Sequence, residues 1–261
     1  MQRRGIWIGL LVATVLAGLG FVAAAGFRTG EDIHGPSPDC DGTPPKIGTA
    51  VRAGDRLAVE EQGFGTIAER NAIRVIGIGA VLINRSASAA YRTEVSLTLH
   101  SAVEDRVLWS GPPQRIPVIL PGGRAAVGAY AWLPTTDAAS AARMSVEIGP
   151  THWLEAGEAN HLFEADLRSV AAFTLMPSSP GVTAAEFDIG PSVSCELLTD
   201  GGAGVVFRDS RGTVLAGAPG SSTHNGFCGH TDSTFAKVDL IPPEADLRRT
   251  QISIYCDLDT S

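Results

Sequence analysis

The sequence predicts an all-β protein, and three features of its composition lead to this expectation. Among 261 residues there are 30 Gly and 16 Pro, and charged residues make up only 18% of the chain. No long Glu/Lys/Leu helical pattern is present. Frequent turn residues with few charges favour many short strands joined by turns. Because the length allows either one large core or two modest ones, we expect two β domains.

Residues 1–26 predict a transmembrane anchor or a signal peptide. Two arginines precede an uncharged apolar run, residues 5–26, and a helix of that length, roughly 30 Å, spans a bilayer. The arginines place the N-terminus in the cytoplasm and the rest of the chain outside the cell. Ala23 and Ala25 form an A-x-A cleavage pattern, so a removed leader and a secreted protein remain the alternative. In both cases the chain that follows is exported.

Residues 27–46 and 47–150 predict an extended stalk and a first β domain. The stalk is rich in Pro, Gly and Asp without an apolar period. In the domain, "VSLTLH" alternates apolar and polar residues, so Val95, Leu97 and Leu99 are expected on a buried face. Further strands are expected on both sides of a turn at "NRSAS", in "IPVILPGGRAAVGAYAWLP" and in "MSVEIG".

Three features within this domain resemble functional motifs, but each can also be explained by a structural role. Gly77 and Gly79 alternate in a strand and are expected to relieve crowding between sheets, since no G-x-G-x-x-G opens a helix there. Asn84, at the start of an N-x-S pattern, is expected to form a tight turn rather than carry a glycan. Trp132 lies opposite the face of Val127, Ala129 and Ala131; we expect core burial, with a surface contact as the alternative.

The second half, residues 169–261, echoes the first. "LTLHSAVEDRVLWSG" resembles "GVVFRDSRGTVLAG", and "ILPGGRAAVGAYAWL" is matched with "LIPPEADLRRTQISIYCDL", with "SSTHNGFCGHTDS" as an insertion. "SVSCELLTD" is expected to supply the first strand of this half, and residues 151–168 a connector. The spacing predicts two immunoglobulin-like β-sandwich domains.

The first copy resembles the FxLYD-type extracytoplasmic domain over residues 57–150. The positions that carry the resemblance share the order of that pattern: Gly77, Gly79, Asn84, Ser86, Ala90, Tyr91, Asp105, Leu120, Pro121 and Gly122. The second copy departs from it, with Pro243 where the first has Gly122. The resemblance implies an exported β-sandwich of the bacterial cell envelope without catalysis.

Four cysteines, Cys40, Cys195, Cys228 and Cys256, lie in the exported part, where disulfides persist. Cys195 and Cys256 are predicted in early and late strands of the second sandwich, the positions at which such folds bridge their sheets. Pairing them leaves Cys228 for Cys40. A Cys195–Cys228 bridge, which leaves Cys40 for an intermolecular bond, is the alternative.

The insertion is also the candidate contact region. His224, Asn225, Cys228, His230 and Asp232 crowd together there, and imidazoles with a thiolate can bind zinc or copper. The spacing matches no standard metal motif, so a disulfide-stapled loop that meets a partner is the preferred interpretation.

Together these patterns predict a non-catalytic, membrane-tethered extracytoplasmic binding or adaptor protein without a cofactor. Its expected partners are the lipid bilayer and an unidentified envelope protein or ligand. A net charge of −8 argues against nucleic acid. The alternative function is an exported metal-binding protein that uses residues 224–232. A hydrolase is less favoured because no G-x-S-x-G elbow is present.

Overall fold

The computed structural model describes residues 46–103, 106–155, 167–169, 172–179, 182–191, 198–222, 228 and 233–258. The predicted membrane segment and nearly all of the predicted stalk lie outside these residues. Among the described residues, no helix has the length and apolar character needed to cross a membrane. All of them belong to one compact unit, Pro36–Ser261.

The described chain is all-β, as predicted, with antiparallel sheets and one short helix, α1 (Thr135–Ala139). The strands of the first half are β1 (Val51–Arg52), β2 (Leu57–Arg70), β3 (Ile73–Asn84), β4 (Ala89–Ser101), β5 (Val107–Ser110), β6 (Gln114–Ile119), β7 (Arg124–Pro134), β8 (Ala141–Ile148) and β9 (Pro150–Leu154). The strands of the second half are β10 (Leu167–Ser169), β11 (Ala172–Ser179), β12 (Val182–Pro191), β13 (Leu198–Arg208), β14 (Val214–Ser222), β15 (Ser233–Val238) and β16 (Gln251–Leu258).

The first half contains two sheets with a core between them. β2, β3 and β7 form a three-stranded sheet, and β4 is the centre of a six-stranded sheet with β1, β5, β6, β8 and β9. The core contains Ile78 and Leu82 of β3 together with Val95, Leu97 and Leu99 of β4, all of which are buried. The predicted alternation in β4 is therefore confirmed.

The second half forms a seven-stranded sheet in the order β10-β16-β13-β14-β15-β12-β11. Its apolar side chains do not form a core of their own. Phe187 and Phe207 belong to a cluster that also contains Tyr91, Val118 and Leu154 from the first half. The two predicted sandwiches thus share buried side chains within one unit.

The junction between the halves depends on glycines. The outer face of the three-stranded sheet lies against β13 and β14, and a Cβ built on Gly79 would lie 2.8 Å from the Cα of Gly217. A Cβ on Gly77 would lie 2.7 Å from the carbonyl oxygen of Gly217. The prediction that Gly77 and Gly79 relieve crowding between sheets is confirmed, and the neighbouring sheet belongs to the other half of the chain.

The strand pairing supports one part of the predicted echo and corrects the other. β4 pairs with β5 as β13 pairs with β14, and β3 pairs with β7 as β12 pairs with β15. The first match is thus between equivalent hairpins. The second match, of β7 with β16, is wrong, because β16 pairs with β13, the counterpart of β4, whereas β7 pairs with β3. By pairing, β16 corresponds to β8 and β9, which flank β4.

Three strand predictions also need correction. β10, β11 and β12 precede β13, so "SVSCELLTD" does not supply the first strand of the second half. Residues 151–154, predicted as connector, belong to β9, which pairs with β1 and β4. The 14-residue β2 was not predicted at all. It carries Gly63 and Gly65 at the junction and lacks a clear period-two pattern of burial.

Asn84 is fully buried and forms the predicted turn. Its amide nitrogen donates to the carbonyl oxygens of Ser88 and Ile119, each at 2.8 Å. Its amide oxygen accepts from the backbone N–H and the hydroxyl of Ser86, at 2.9 and 2.8 Å. All four hydrogen-bonding positions of the amide are therefore used within the protein. A glycan replaces one of the two hydrogens on this nitrogen and would therefore remove at least one of these bonds.

Candidate functional site

A cleft of about 550 Å³ lies where the two halves meet. Its first wall comes from the β5–β6 region and its opposite wall from β13, β14 and β16, with part of β7 between them. The residues that line it are mainly aromatic side chains and backbone with small or no side chains: Leu97, Trp109, Gly111, Pro112, Gln114, Arg115, Gly128, Ala129, Tyr130, Trp132, Gly201, Gly202, Ala203, Pro219, Gly220 and Tyr255.

One edge of β7 faces away from the sheet to which the strand belongs. The N–H of Ala126 donates to the hydroxyl of Ser253 at 2.8 Å, and the carbonyl of Ala126 accepts from the hydroxyl of Tyr255 at 2.5 Å. The side chain of Gln114 donates to the carbonyl of Gly128 at 3.1 Å. Side chains thus satisfy both backbone groups of Ala126 and the carbonyl of Gly128 on the outer edge of β7, where another strand could otherwise pair.

The same edge continues into the cleft without such partners. In an extended strand, the N–H and C=O of one residue point to the same side, and the side alternates from residue to residue. Because Ala126 and Gly128 bond outward, the backbone groups of Tyr130 and Trp132 also point outward. Over the described residues, no strand pairs with this edge, and the hydrogen bonds found reach it only at Ala126 and Gly128.

Aromatic rings border this open edge. The six-membered ring of Trp109 lies against Gly111, where a Cβ would be 2.9 Å from its Cζ2 atom. The hydroxyl of Tyr130 donates to the carbonyl of Leu240 at 3.1 Å and accepts from the N–H of the same residue at 3.3 Å. Trp132 is 61% exposed, so the prediction that it is buried is wrong and the alternative of a surface ring is the one observed.

Trp132 is exposed because of where its strand lies. Alternate residues of β7 face the second half, and Ala126 packs there with Val206. Gly128 also lies against that half, since a Cβ on it would be 2.6 Å from the carbonyl oxygen of Val205. Tyr130 still reaches Leu240, whereas Trp132 extends past this contact. The opposite face of β7 carries Val127, Ala129 and Ala131 into the core, as predicted.

The electrostatic character of the cleft comes from a single charged side chain among the described lining residues, Arg115 on β6. The side chain is 60% exposed, and its nearest carboxylate oxygen, on Glu94, is 3.9 Å away. That separation is within the range of an ion pair but too long for a direct hydrogen bond. Arg115 and Glu94, which lie opposite each other on β6 and β4, thus form a partly exposed ion pair, and Arg115 is the one cation of the described lining.

The tyrosines at the junction remain neutral. Burial raises the pKa of Tyr130 and that of Tyr255 well above the usual range. For Tyr91, burial has the largest effect and the neighbouring Asp257 carboxylate also raises the pKa. The Tyr91 hydroxyl donates to that carboxylate at 2.9 Å. These hydroxyl groups act as fixed hydrogen-bond donors that hold the halves together.

Two ion pairs also join the halves outside the cleft. Arg92 donates to both oxygens of Asp257, at 2.9 and 3.2 Å. Arg208, with 8% of its side chain exposed, is 2.9 Å from Glu61 and also donates to Gln251. Because these charged groups are paired across the junction, a structural role accounts for them.

The disulfide pairing differs from the prediction. Cys228 is bonded to Cys256, which excludes the predicted Cys195–Cys256 bridge and both predicted partners of Cys228. The last strand was correctly expected to hold a bridged cysteine, but its partner is in the insertion rather than in an early strand. Cys40 and Cys195 lie outside the described residues.

The predicted contact region is described only at Cys228. His224, Asn225, His230 and Asp232 lie outside the described residues. In the disulfide, Cys228 has no thiolate to offer a metal ion, so the predicted ligand set loses that member. In the described part of the chain, no three His, Cys, Asp or Glu side chains are grouped to hold a metal.

The cleft was not predicted, although some of its parts were visible in the sequence. Trp109 and Trp132 were each assigned to strands, but the wall opposite them comes from the second half, and the cleft between them depends on contacts between the halves. The one usable signal was Trp132 on the face opposite the core residues of its strand.

A scan against protein-family models finds no family that matches this chain, and no curated protein matches it.

Proposed function

We propose that this chain is a non-catalytic extracytoplasmic binding protein that captures a ligand in the cleft between its two halves. The observation that carries the proposal is the junction cleft of about 550 Å³ with four aromatic residues in its lining. Binding pockets of this size, with mostly apolar walls and few polar groups, are typical of ligand sites at domain interfaces.

Export of the folded part is the second element of the proposal. The apolar run at residues 5–26 and the resemblance of residues 57–150 to FxLYD-type domains support a membrane-tethered protein of the bacterial cell envelope. The Cys228–Cys256 disulfide is consistent with an oxidising compartment. The first half, in this proposal, is an immunoglobulin-like sandwich, and the second half adds a seven-stranded sheet that shares its core with the first.

The chemistry of the described lining favours binding by three means. The rings of Trp109 and Trp132 supply rigid apolar area at low entropic cost. The edge of β7 supplies backbone donors and acceptors, and Arg115 supplies one positive charge. A ligand would therefore be held by stacking, by backbone hydrogen bonds and by one ionic contact.

The insertion remains part of the proposal as a second contact with a partner. The disulfide of Cys228 attaches it to β16, next to Tyr255, which lines the cleft. His224, Asn225, His230 and Asp232 are the residues proposed to make this contact. An exported metal-binding protein, the alternative, would have to use the imidazoles and the carboxylate without Cys228.

Photo-crosslinking in the native host tests the proposed site. A photoreactive amino acid replaces Trp132 in the full-length chain, and a second variant carries it at Val103. Val103 is 64% exposed, close to the 61% of Trp132, and is not part of the cleft lining. Because the two positions are equally accessible, they differ only in location.

The proposal expects a crosslinked species that is found with the variant at 132 and not with the variant at 103. The variant Trp132→Ala, with the crosslinker moved to the exposed lining residue Pro112, should reduce its yield while the protein remains folded. Equal yields at 132 and 103, or none at either position on an abundant folded protein, would contradict the proposed site.

A further inference from the structure

We infer that the ligand is an extended peptide, which adds as a β-strand to the outer edge of β7 and places a carboxylate near Arg115. This inference rests on the proposed function and specifies the ligand class. The backbone groups of Tyr130 and Trp132, the walls of the cleft and its single cation each support it.

The backbone argument concerns the repeat of hydrogen-bonding groups. Tyr130 and Trp132 each present an N–H and a C=O on the same side, about 6.6 Å apart along the strand. An extended polypeptide presents its own N–H and C=O groups with this same two-residue repeat, so it can satisfy all four groups. Strand addition of this kind obtains affinity from the main chain and specificity from alternate side chains.

The position of the added strand is limited at one end. The side chains of Ser253 and Tyr255 occupy the edge at Ala126, and Gln114 occupies the carbonyl of Gly128. A peptide can therefore begin beside the N–H of Gly128 and extend towards Trp132. Four residue spacings correspond to about 13 Å of strand, so a segment of about five residues is enough to use the edge.

The walls fit a peptide with apolar side chains at alternate positions. Trp109 and Pro112 lie on one side of the cleft, and Gly202 and Pro219 lie on the other. Glycine at 202 and 220 leaves backbone at the surface of the second wall, where a bound strand can approach closely. Trp132, which is largely exposed, is positioned to cover the end of the peptide.

The charge argument selects an acidic peptide. Among the described lining residues, Arg115 is the charged one, and its ion pair with Glu94, at 3.9 Å, includes no direct hydrogen bond, so its N–H groups can donate to a second carboxylate. A guanidinium binds a carboxylate in a planar two-bond arrangement. The carboxylate can belong to an Asp or Glu side chain or to the C-terminus of the peptide, and these sources can be distinguished by experiment.

The test is affinity selection from a library of random octapeptides on the full-length chain in detergent micelles, followed by N-methylation of the selected peptide at each residue in turn. N-methylation removes the N–H donor of the methylated residue, and this weakens binding through a lost hydrogen bond only where that N–H pairs with β7. We expect alternate positions to lose binding about tenfold or more, and the intervening positions to change by less than threefold. This period of two is specific to strand addition.

Substitution of the arginine tests the carboxylate. Arg115→Gln should weaken the selected peptide about tenfold, as expected for one charge-assisted hydrogen bond. Arg85→Gln, at an exposed arginine outside the cleft, is the matched control and should have no effect. Loss of binding on C-terminal amidation would assign the carboxylate to the terminus, whereas loss on Asp→Asn or Glu→Gln substitution in the peptide would assign it to a side chain.

The inference fails separately from the proposed function. If crosslinking at position 132 captures a glycan or a lipid and the library yields no peptide, the cleft is a binding site for another ligand class. If selected peptides show N-methyl effects without alternation, or bind Arg115→Gln unchanged, strand addition or the carboxylate contact is overturned. If crosslinking and selection both yield nothing, the proposed function fails as well.

Discussion

Gly79 and Gly217 meet across the junction of the two halves, with backbone against backbone. A Cβ on Gly79 would lie 2.8 Å from the Cα of Gly217 and 2.9 Å from its nitrogen and from the carbonyl oxygen of Ala216. Neither residue has a positive φ angle, so the space between the sheets, and not backbone conformation, requires glycine here. This contact sets how closely the halves approach and thereby the width of the cleft beside it.

Gly79→Ala should destabilise the protein because the added methyl group meets backbone atoms that cannot move independently. We expect a loss of about 1–3 kcal/mol in the free energy of unfolding, the usual range for an overpacked core. Gly48→Ala is the control, since a Cβ there has no atom within 4 Å. Urea denaturation of both variants measures the difference, and equal stabilities would contradict the close junction.

The three tyrosines should resist ionisation in the folded protein. Tyr91, Tyr130 and Tyr255 are the only tyrosines of the chain, and burial raises the pKa of each. A tyrosine with a raised pKa favours the neutral folded state. Its contribution to stability is therefore complete below the unfolded pKa of about 10 and is lost as the pH rises above it.

An alkaline titration followed by tyrosinate absorbance checks this prediction. The unfolded chain should titrate near pH 10, whereas the folded chain should show no tyrosinate there and should ionise together with unfolding at higher pH. A tyrosine that ionises near pH 10 while the protein remains folded would show that its hydroxyl is exposed and does not hold the junction.

Cys228 and Cys256 should be recovered as one disulfide-linked pair. Proteolysis without reduction, followed by mass spectrometry, should yield a linked pair of peptides that contain these residues. Replacement of both by serine removes a cross-link over 28 residues, which on the chain-entropy model costs roughly 3–4 kcal/mol. A peptide that joins Cys195 to Cys256 would contradict this pairing.

Ala72→Gly should stabilise the β2–β3 hairpin. Asn71 and Ala72 form its two-residue turn, with φ angles of 52° and 61°. The left-handed conformation destabilises the folded state by about 1 kcal/mol when the residue is alanine, and glycine, which has no Cβ, avoids this cost. Asn71→Gly should change stability less because asparagine tolerates this conformation. Thermal denaturation of the two variants compares them, and a larger gain for Asn71→Gly would contradict this account of the turn.

Local patterns in the sequence predicted several strands correctly and could not predict how the halves combine. The successful predictions rest on local features. The turn at Asn84 depends on residues close in sequence, and the alternation around Leu97 and the spacing of Gly77 and Gly79 each mark one face of a single strand. The junction depends on contacts between residues more than a hundred positions apart, such as Gly79 with Gly217. No periodic pattern in the sequence predicts the contact of Gly79 with Gly217.

The candidate site was missed for the same physical reason. Trp109, Trp132 and Tyr255 come from three separate strands, and they border one cleft only because β7 lies between the halves. The cysteine prediction failed because it assumed that each half builds a separate core with its own bridge between sheets. In the structure the bridge joins the insertion to the last strand, and the core is shared.

The most direct test of the account is amide hydrogen exchange along β7, measured by NMR on the full-length chain in micelles, with and without the selected peptide. Ala129 and Ala131 donate towards β3, whereas Tyr130 and Trp132 face the open edge. The account predicts that the amides of Tyr130 and Trp132 exchange at least tenfold faster than those of Ala129 and Ala131, and that only the fast pair becomes protected when the peptide binds. Slow exchange at all four amides in the unbound protein would show that the edge is already paired, and would contradict the proposed site.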